Sequence, residues 1–228
     1  MPSLFRAPLT AGEGITNIHR DTRVIGVVLA RTRSADYENI RDTIIERAAT
    51  MFAHQGYSAT SIGDIARACE CSKSRLYHYF DSKEAVLREM LTTHVDSLLE
   101  RCRQVLYGSN DPKARFLQIV KLFLEIYATS RDRHVVMLTC LDALPEDQRN
   151  SLIAKQRELI AYVRDALLQL RPDMASDRTL AHIDTMLFFG MINWTYTWYK
   201  SDGSMSPDAL AERTVQLFLN GYVNVPSA

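Results

Sequence analysis

Between Ser72 and Phe80 the chain reads Ser-Lys-Ser-Arg-Leu-Tyr-His-Tyr-Phe. Lys73, Ser74, Arg75, Tyr77 and His78 all donate hydrogen bonds, while Leu76 and Phe80 stand one helical turn apart. With Leu76 and Phe80 turned into a core, the polar residues must lie on or beside the outer face. That face is short and cationic, and it fits a duplex major groove about 12 Å wide. A small helical domain with a solvated charged surface has the same spacing, so both readings stand at this point. Cys69 and Cys71 with His78 invite a metal reading. A C-x-C pair at a helix end does not reach a His on the next helix in tetrahedral geometry, and no fourth ligand is near, so no metal is expected. No G-x-S-x-G, P-loop, His-x-x-x-His pair or dinucleotide fingerprint occurs. His19, His54, His94, His134 and His182 stand apart from any convincing Ser or Cys nucleophile. The sequence therefore predicts no enzyme. A small all-α enzyme or an adaptor without DNA is kept as a remote alternative.

The elements that must position these residues read almost entirely as helix. Ile40, Ile44, Ala48, Met51 and Phe52 recur at three- and four-residue steps, the mark of one buried stripe from Tyr37 onward. Gly56 supplies the left-handed residue that ends this helix. Ser61-Ile62-Gly63-Asp64 is a capping box that starts a short second helix. Ser72 caps a third, Lys73 to about Phe80, and Asp81-Ser82 a fourth that runs to about Tyr107. Asp111-Pro112 restarts the chain as a helix to about Ser130. Further helices are expected around His134–Leu141, Glu146–Leu170, Asp177–Tyr199 and from Ser206-Pro207 to Gly221. No strand-like alternation appears. The fold class is all-α, with about nine helices.

Three short helices, the second and third joined by a turn of three or four residues, describe a helix-turn-helix unit. Ile62, Ile65, Ala66, Leu76 and Phe80 can close a small core over Ile44, Ala48 and Phe52. Three segments follow: an arm at 1–35, a helix-turn-helix domain at 36–83 and a second helical domain at 84–225. The arm carries five arginines against Glu13 and Asp21 and no sustained period, so it reads as a loose basic extension. Contact with DNA phosphates or a minor groove is the alternative.

Composition narrows the partners. The chain has 228 residues, 46% apolar and 24% charged, with 27 basic and 27 acidic residues. Overall charge favours neither nucleic acid nor an anionic membrane, so any charged partner must be met locally. Residues 36–83 hold six basic against seven acidic side chains, which predicts only a moderate salt dependence of DNA binding. Four unevenly spread cysteines indicate reduced thiols rather than a disulfide scaffold. The apolar runs Val24–Ala30 and Met186–Trp194 are well short of the about 20 residues a membrane helix needs. A cytoplasmic protein without a membrane partner is expected.

Thr60-Ser61-Ile62-Gly63-Asp64-Ile65-Ala66-Arg67-Ala68, the Ser72–Phe80 stretch and Ser82-Lys83-Glu84 strongly resemble the DNA-binding domain of TetR-family transcriptional regulators. The resemblance spans about Asn39–Val95. It departs from the family pattern where Glu70-Cys71 replace the usual Gly-Val before the capping Ser. A non-Gly residue in a left-handed turn costs about 1–2 kcal/mol, so a slightly altered turn is expected. The resemblance implies phosphate contacts from Thr60 or Ser61 and recognition-helix contacts from Ser72, Lys73, Ser74, Arg75 and Tyr77, with His78 nearby. Arg75 is the best candidate for base readout, since its fork fits the O6 and N7 acceptors of guanine. Lys83, at a helix N-terminus where the dipole favours anions, would hold another phosphate.

Further along, Asn193-Trp194-x3-Trp198-Tyr199 and the Ser206-Pro207 opening of the last helix look like acyl-CoA-responsive members of the family. These include repressors of fatty-acid, steroid-ring and phenylacetate degradation. The resemblance implies a homodimer on a palindromic double-stranded DNA operator, no cofactor, and a CoA thioester (phenylacetyl-CoA among the candidates) as the small-molecule effector. A sensor of hydrophobic drugs controlling efflux is the alternative. Trp194 and Trp198 lie four apart, with Ile183, Leu187 and Met191 continuing their face upstream. They serve either a core and dimer interface or a pocket wall. Phe116, Phe123, Tyr127, Met137, Tyr162 and Phe188 are candidate pocket walls with Asn193. Arg131 and Arg133 are candidate phosphate ligands or a solvated charge run.

Overall fold

Helix-forming sequence punctuated by caps gives, in the computed structural model, a fold whose described part covers residues 22–108 and 110–222, with side chains over 36–106 and 110–221. Nine α-helices and no strand occur among the described residues: α1 (Thr22–Gln55), α2 (Ile62–Ala68), α3 (Lys73–Tyr77), α4 (Lys83–Gly108), α5 (Pro112–Thr129), α6 (Arg131–Thr139), α7 (Glu146–Leu170), α8 (Arg178–Asn193) and α9 (Pro207–Tyr222). The chain divides into two compact units, 1–40 and 41–228. The loose arm expected at 1–35 lies outside the described residues up to 21. From Thr22 its backbone is helical, as the first part of α1, so the arm is shorter than expected.

Local chemistry accounts for most boundaries. Gly56, at φ +88°, ends α1 and donates to the Phe52 carbonyl at 3.1 Å. Ser61 and Asp64 form the reciprocal capping box of α2. The α2–α3 turn keeps its left-handed residue even though no glycine is there: Glu70 has φ +52°. Cys71 N–H reaches the Ala66 carbonyl at 2.9 Å and Glu70 N–H the Arg67 carbonyl at 3.0 Å, the two bonds of a Schellman ending. Asp111 caps α5 through Lys113 and Ala114, with Pro112 in the first turn.

Ile44, Ala48, Phe52, Ile65, Ala66, Leu76 and Phe80 are buried together with Val86, Leu87 and Met90 of α4. The small N-terminal core is thus continuous with the first turns of α4. Beyond it, α5 packs on α4, α7 and α9, and α7 packs on α8. Phe188 sits inside an aromatic cluster, its ring centroid 5.1 Å from Phe116 and 5.2 Å from Phe218. Two expected helices come out shorter. The third ends at Tyr77 rather than Phe80, and the eighth ends at Asn193, giving way to a 3-10 turn over Trp194–Thr197. Thr195 Oγ1 donates to the Ile192 carbonyl at 2.6 Å and Thr197 Oγ1 to Trp194 at 2.8 Å. Such back-bonding competes with the helical ladder and favours the tighter turn. No described helix is long and apolar enough to cross a membrane.

Candidate nucleic-acid interface and ligand pocket

The recognition segment is anchored by apolar residues and displays polar ones. Leu76 is fully buried and Phe80 nearly so, whereas Ser72, Lys73, Ser74, Arg75, Tyr77 and His78 are exposed, Tyr77 at 49%. Ser72 caps α3 by accepting from Arg75 N–H at 3.1 Å. Lys73 folds over the start of α2, so close to Gly63 that a Cβ there would run into Lys73 Cε. Its charge adds to that of Arg67 near Asp64, whose carboxyl is held low first by the Ser61 hydrogen bonds. The surface therefore joins α3 and the N-terminus of α2 in one polar face.

Two expected phosphate contacts are placed otherwise. Thr60 is buried, and its hydroxyl donates to the Gly56 carbonyl at 2.9 Å, so Ser61 is the exposed member of that pair. Lys83 turns inward as well. Its Nζ donates to the Tyr57 and Thr60 carbonyls, each at 2.7 Å, and lies 4.1 Å from the centre of the Tyr57 ring. The reason is geometric: the α1–α2 loop turns two carbonyls toward the start of α4, that of Tyr57 already accepting from Thr60 N–H at 3.3 Å, and the ammonium bonds both. Arg41 does similar work beside it. It pairs with Glu89 of α4 through two bonds, donates to the Tyr79 carbonyl at 3.1 Å and covers the Phe80 ring at 4.5 Å. Arg41 and Lys83 thus tie α4 to α1, to the α1–α2 loop and to the segment that follows α3.

Among the described residues no group of three ligating side chains gathers, and burial pushes the Cys69 thiol up, away from thiolate.

Two hollows in the second half share Tyr127. The smaller one, about 150 Å³, is lined in part by Phe123, Tyr127, Met137 and Asn193, four of the candidate pocket residues. Leu98, Leu138, Gln156, Leu159, Ile160, Met186 and Phe189, which the sequence did not single out, complete it. The Tyr127 hydroxyl donates to Asn193 Oδ1 at 2.8 Å, tying α5 to the end of α8. The larger hollow, about 440 Å³, is lined by Tyr127, Arg131 and the 195–202 segment with Trp198 and Lys200. Arg131 Nε donates to the Tyr196 carbonyl at 3.1 Å, and the guanidinium remains half-exposed.

Other expected pocket residues stand elsewhere. Tyr162 donates to Glu158 at 2.7 Å and accepts from Arg103 Nε at 3.1 Å, a surface link between α7 and α4 rather than a pocket wall. Phe116 and Phe188 are core. Arg133 is tied to Glu46 of α1 at 2.6 Å, and beside it His54 Nε2 lies 3.6 Å from Asp132, so α6 touches the α1 helix through two polar pairs. Trp194 is 63% exposed and Trp198 57%. With Ile183, Leu187 and Met191, Trp194 forms an exposed apolar stripe along α8.

Comparison with known proteins follows the same division. Residues 44–90 match the family described as bacterial regulatory proteins, tetR family, and residues 109–222 match the tetracyclin repressor-like C-terminal domain. The chain is 28% identical over 194 residues to the HTH-type transcriptional repressor KstR2 of Rhodococcus jostii, covering 81% of this chain and 91% of that protein. It is 91% identical to a TetR-family transcriptional regulator of Bordetella parapertussis, whose crystal structure superposes with a TM-score of 0.80 over 84% of this chain and all of that one. AibR, crystallised with isovaleryl coenzyme A and operator DNA, shares the fold at 23% identity and a TM-score of 0.68, covering 78% of this chain and 97% of that one.

Proposed function

The chain belongs to the TetR family of transcriptional regulators, and from that premise we propose a homodimeric repressor that holds a palindromic operator through α3 and releases it when a CoA thioester enters the α4–α8 pocket. It is a regulator and not an enzyme. One observation carries the DNA reading: α3 is pinned by Leu76 and Phe80 while Lys73, Ser74, Arg75, Tyr77 and His78 face outward together. In this reading Arg75 addresses a guanine edge, while Ser61, Ser72 and Lys73 hold phosphates. The apolar stripe of α8, with exposed Leu217 on α9, meets its twin in a second copy. Two copies set the recognition helices about 34–36 Å apart, one turn of duplex. A regulator that reads chromosomal DNA works in the cytoplasm.

The thioester reading is supported by the hollows that meet at Tyr127. A hollow of about 150 Å³ admits a benzene-sized or short acyl group, and the larger hollow beside it offers Arg131 and Lys200 to phosphates. Occupancy is transmitted by α4, which lines the cavity with Leu98 and is bolted to the recognition unit by Lys83 and Glu89. The effector can shift the equilibrium only by its differential affinity for the DNA-competent and released states. Gel-shift titration with a panel of CoA esters tests the proposal: one ester must dissociate the complex at a stoichiometry of one per protomer. A drug sensor would instead respond to uncharged hydrophobic compounds and to no thioester.

A further inference from the structure

Against the Tyr127 ring lies a buried polar cluster that neither DNA binding nor the apolar cavity uses. His94 of α4 is 4% exposed and His134 of α6 is 0% exposed. Among the described residues, His94 Nε2, both nitrogens of His134 and Nε of Arg133 are buried and meet no protein hydrogen-bond partner. Buried polar groups are ordinarily paired, so three such side chains in one place call for an explanation. Burial holds both imidazoles neutral, with Arg133 adding to the effect on His94. Each neutral ring offers one donor and one acceptor, and Arg133 Nε offers a donor. The two ring centroids are 6.0 Å apart, too far for a direct bond between the rings, but a single oxygen atom between them reaches both.

The cluster is the next turn of the cavity wall. His94 precedes the lining residue Leu98 by one turn on α4, and His134 precedes Met137 by one turn on α6. Tyr127 stands between the cavity and the cluster: it lines the first and stacks on His134 of the second with ring centroids 3.7 Å apart. We propose that the effector pocket continues past the Tyr127 ring into a polar inner chamber of His94, His134 and Arg133, and that this chamber takes an oxygen function (hydroxyl, keto or carboxylate) at the far end of the effector's acyl group. This deepens the reading of the α4–α8 cavity as the effector site, and it does not depend on coenzyme A as the carrier. An effector ending in plain hydrocarbon leaves the chamber unpaired, so an oxygenated acyl group binds roughly tenfold or more tightly than its unsubstituted counterpart.

The test is calorimetric titration of the full-length protein with two matched pairs, hexanoyl against 6-hydroxyhexanoyl and phenylacetyl against 4-hydroxyphenylacetyl. Each acyl group is presented both as a CoA ester and as an N-acetylcysteamine thioester. The expected result is a hydroxylated member favoured roughly tenfold in at least one pair, a gap that closes to within about threefold in His134→Phe. His94→Leu serves as the second variant should His134→Phe not fold. Equal affinity within both pairs, or a gap that survives in the variants, overturns the chamber and leaves the CoA reading standing. A gap seen with the short thioesters and no binding of the CoA esters upholds the chamber and removes coenzyme A. No binding of any member overturns both.

Discussion

Lowering the pH from 7 to 5 should weaken this protein through His94 and His134 before its carboxylates respond. Burial depresses the two imidazoles from 6.5 to about 4 and about 3. The sign follows from proton counting: between pH 6.5 and 4 the unfolded chain protonates these histidines and the folded one does not, so stability is full above pH 6.5 and lost as the pH falls. Each tenfold difference in proton affinity is worth about 1.4 kcal/mol, which puts the loss by pH 5 at about 2 kcal/mol per histidine and about 4 kcal/mol for the pair. Asp64, Glu158 and Asp173 are held below their ordinary values by hydrogen bonds from Ser61, Tyr162 and Arg171, so their contributions persist throughout this window. Tyr127, stacked on His134, is pushed up by burial and does not titrate there. Urea unfolding at fixed protomer concentration, at pH 7, 6 and 5, measures the effect in the wild type and in His134→Phe. The variant should lose about half as much stability over the interval, and the subtraction cancels every other titrating group. Parallel pH profiles for the two proteins would refute the argument that these rings are buried and neutral.

Glu70→Gly should stabilise the protein by about 1 kcal/mol, because Glu70 sits at φ +52° without a glycine's freedom; the urea midpoint reads it. Lys73→Ala should reduce the slope of log affinity against log salt for operator binding by about 1. Lys83→Met should leave that slope unchanged and instead lower stability by about 1.5–3 kcal/mol, since its ammonium serves the Tyr57 and Thr60 carbonyls. Leu187→Glu, in the middle of the exposed α8 stripe, should shift the protein from dimer to monomer in sedimentation equilibrium.

The recognition unit was legible in the sequence because its signals are local. Ser61-x-x-Asp64, Ser72, Gly56 and the four-residue step from Leu76 to Phe80 each specify a backbone bond or a buried face, and each is found in place. Even the departure at Glu70 only strains the turn, because the Schellman bonds to Arg67 and Ala66 outweigh a modest backbone cost. Tertiary pairing was not legible. Nothing near Lys83 announces that the Tyr57 and Thr60 carbonyls lie beneath it, and nothing near Arg133 announces Glu46. The sequence also ran α8 through to Tyr199, since apolar periodicity continues there, while the hydroxyls of Thr195 and Thr197 turn the backbone at Asn193. Of the candidate pocket walls, Phe123, Tyr127, Met137 and Asn193 share one hollow while Phe116, Phe188 and Tyr162 do not, a division set by tertiary packing that residue type alone does not carry. His94 and His134 were passed over: in a sequence they are two isolated histidines, and only the packing of α4 against α6 makes them neighbours.

The central claim is that α3 reads DNA. It is tested most directly by selecting operator sequences from a random duplex library with the purified protein and footprinting the winner. An inverted repeat with half-sites one helical turn apart, lost in Arg75→Ala and in Lys73→Ala, is the result predicted by the outward face of α3. Undiminished binding of the selected duplex by both variants, or enrichment of no sequence at all, would contradict it.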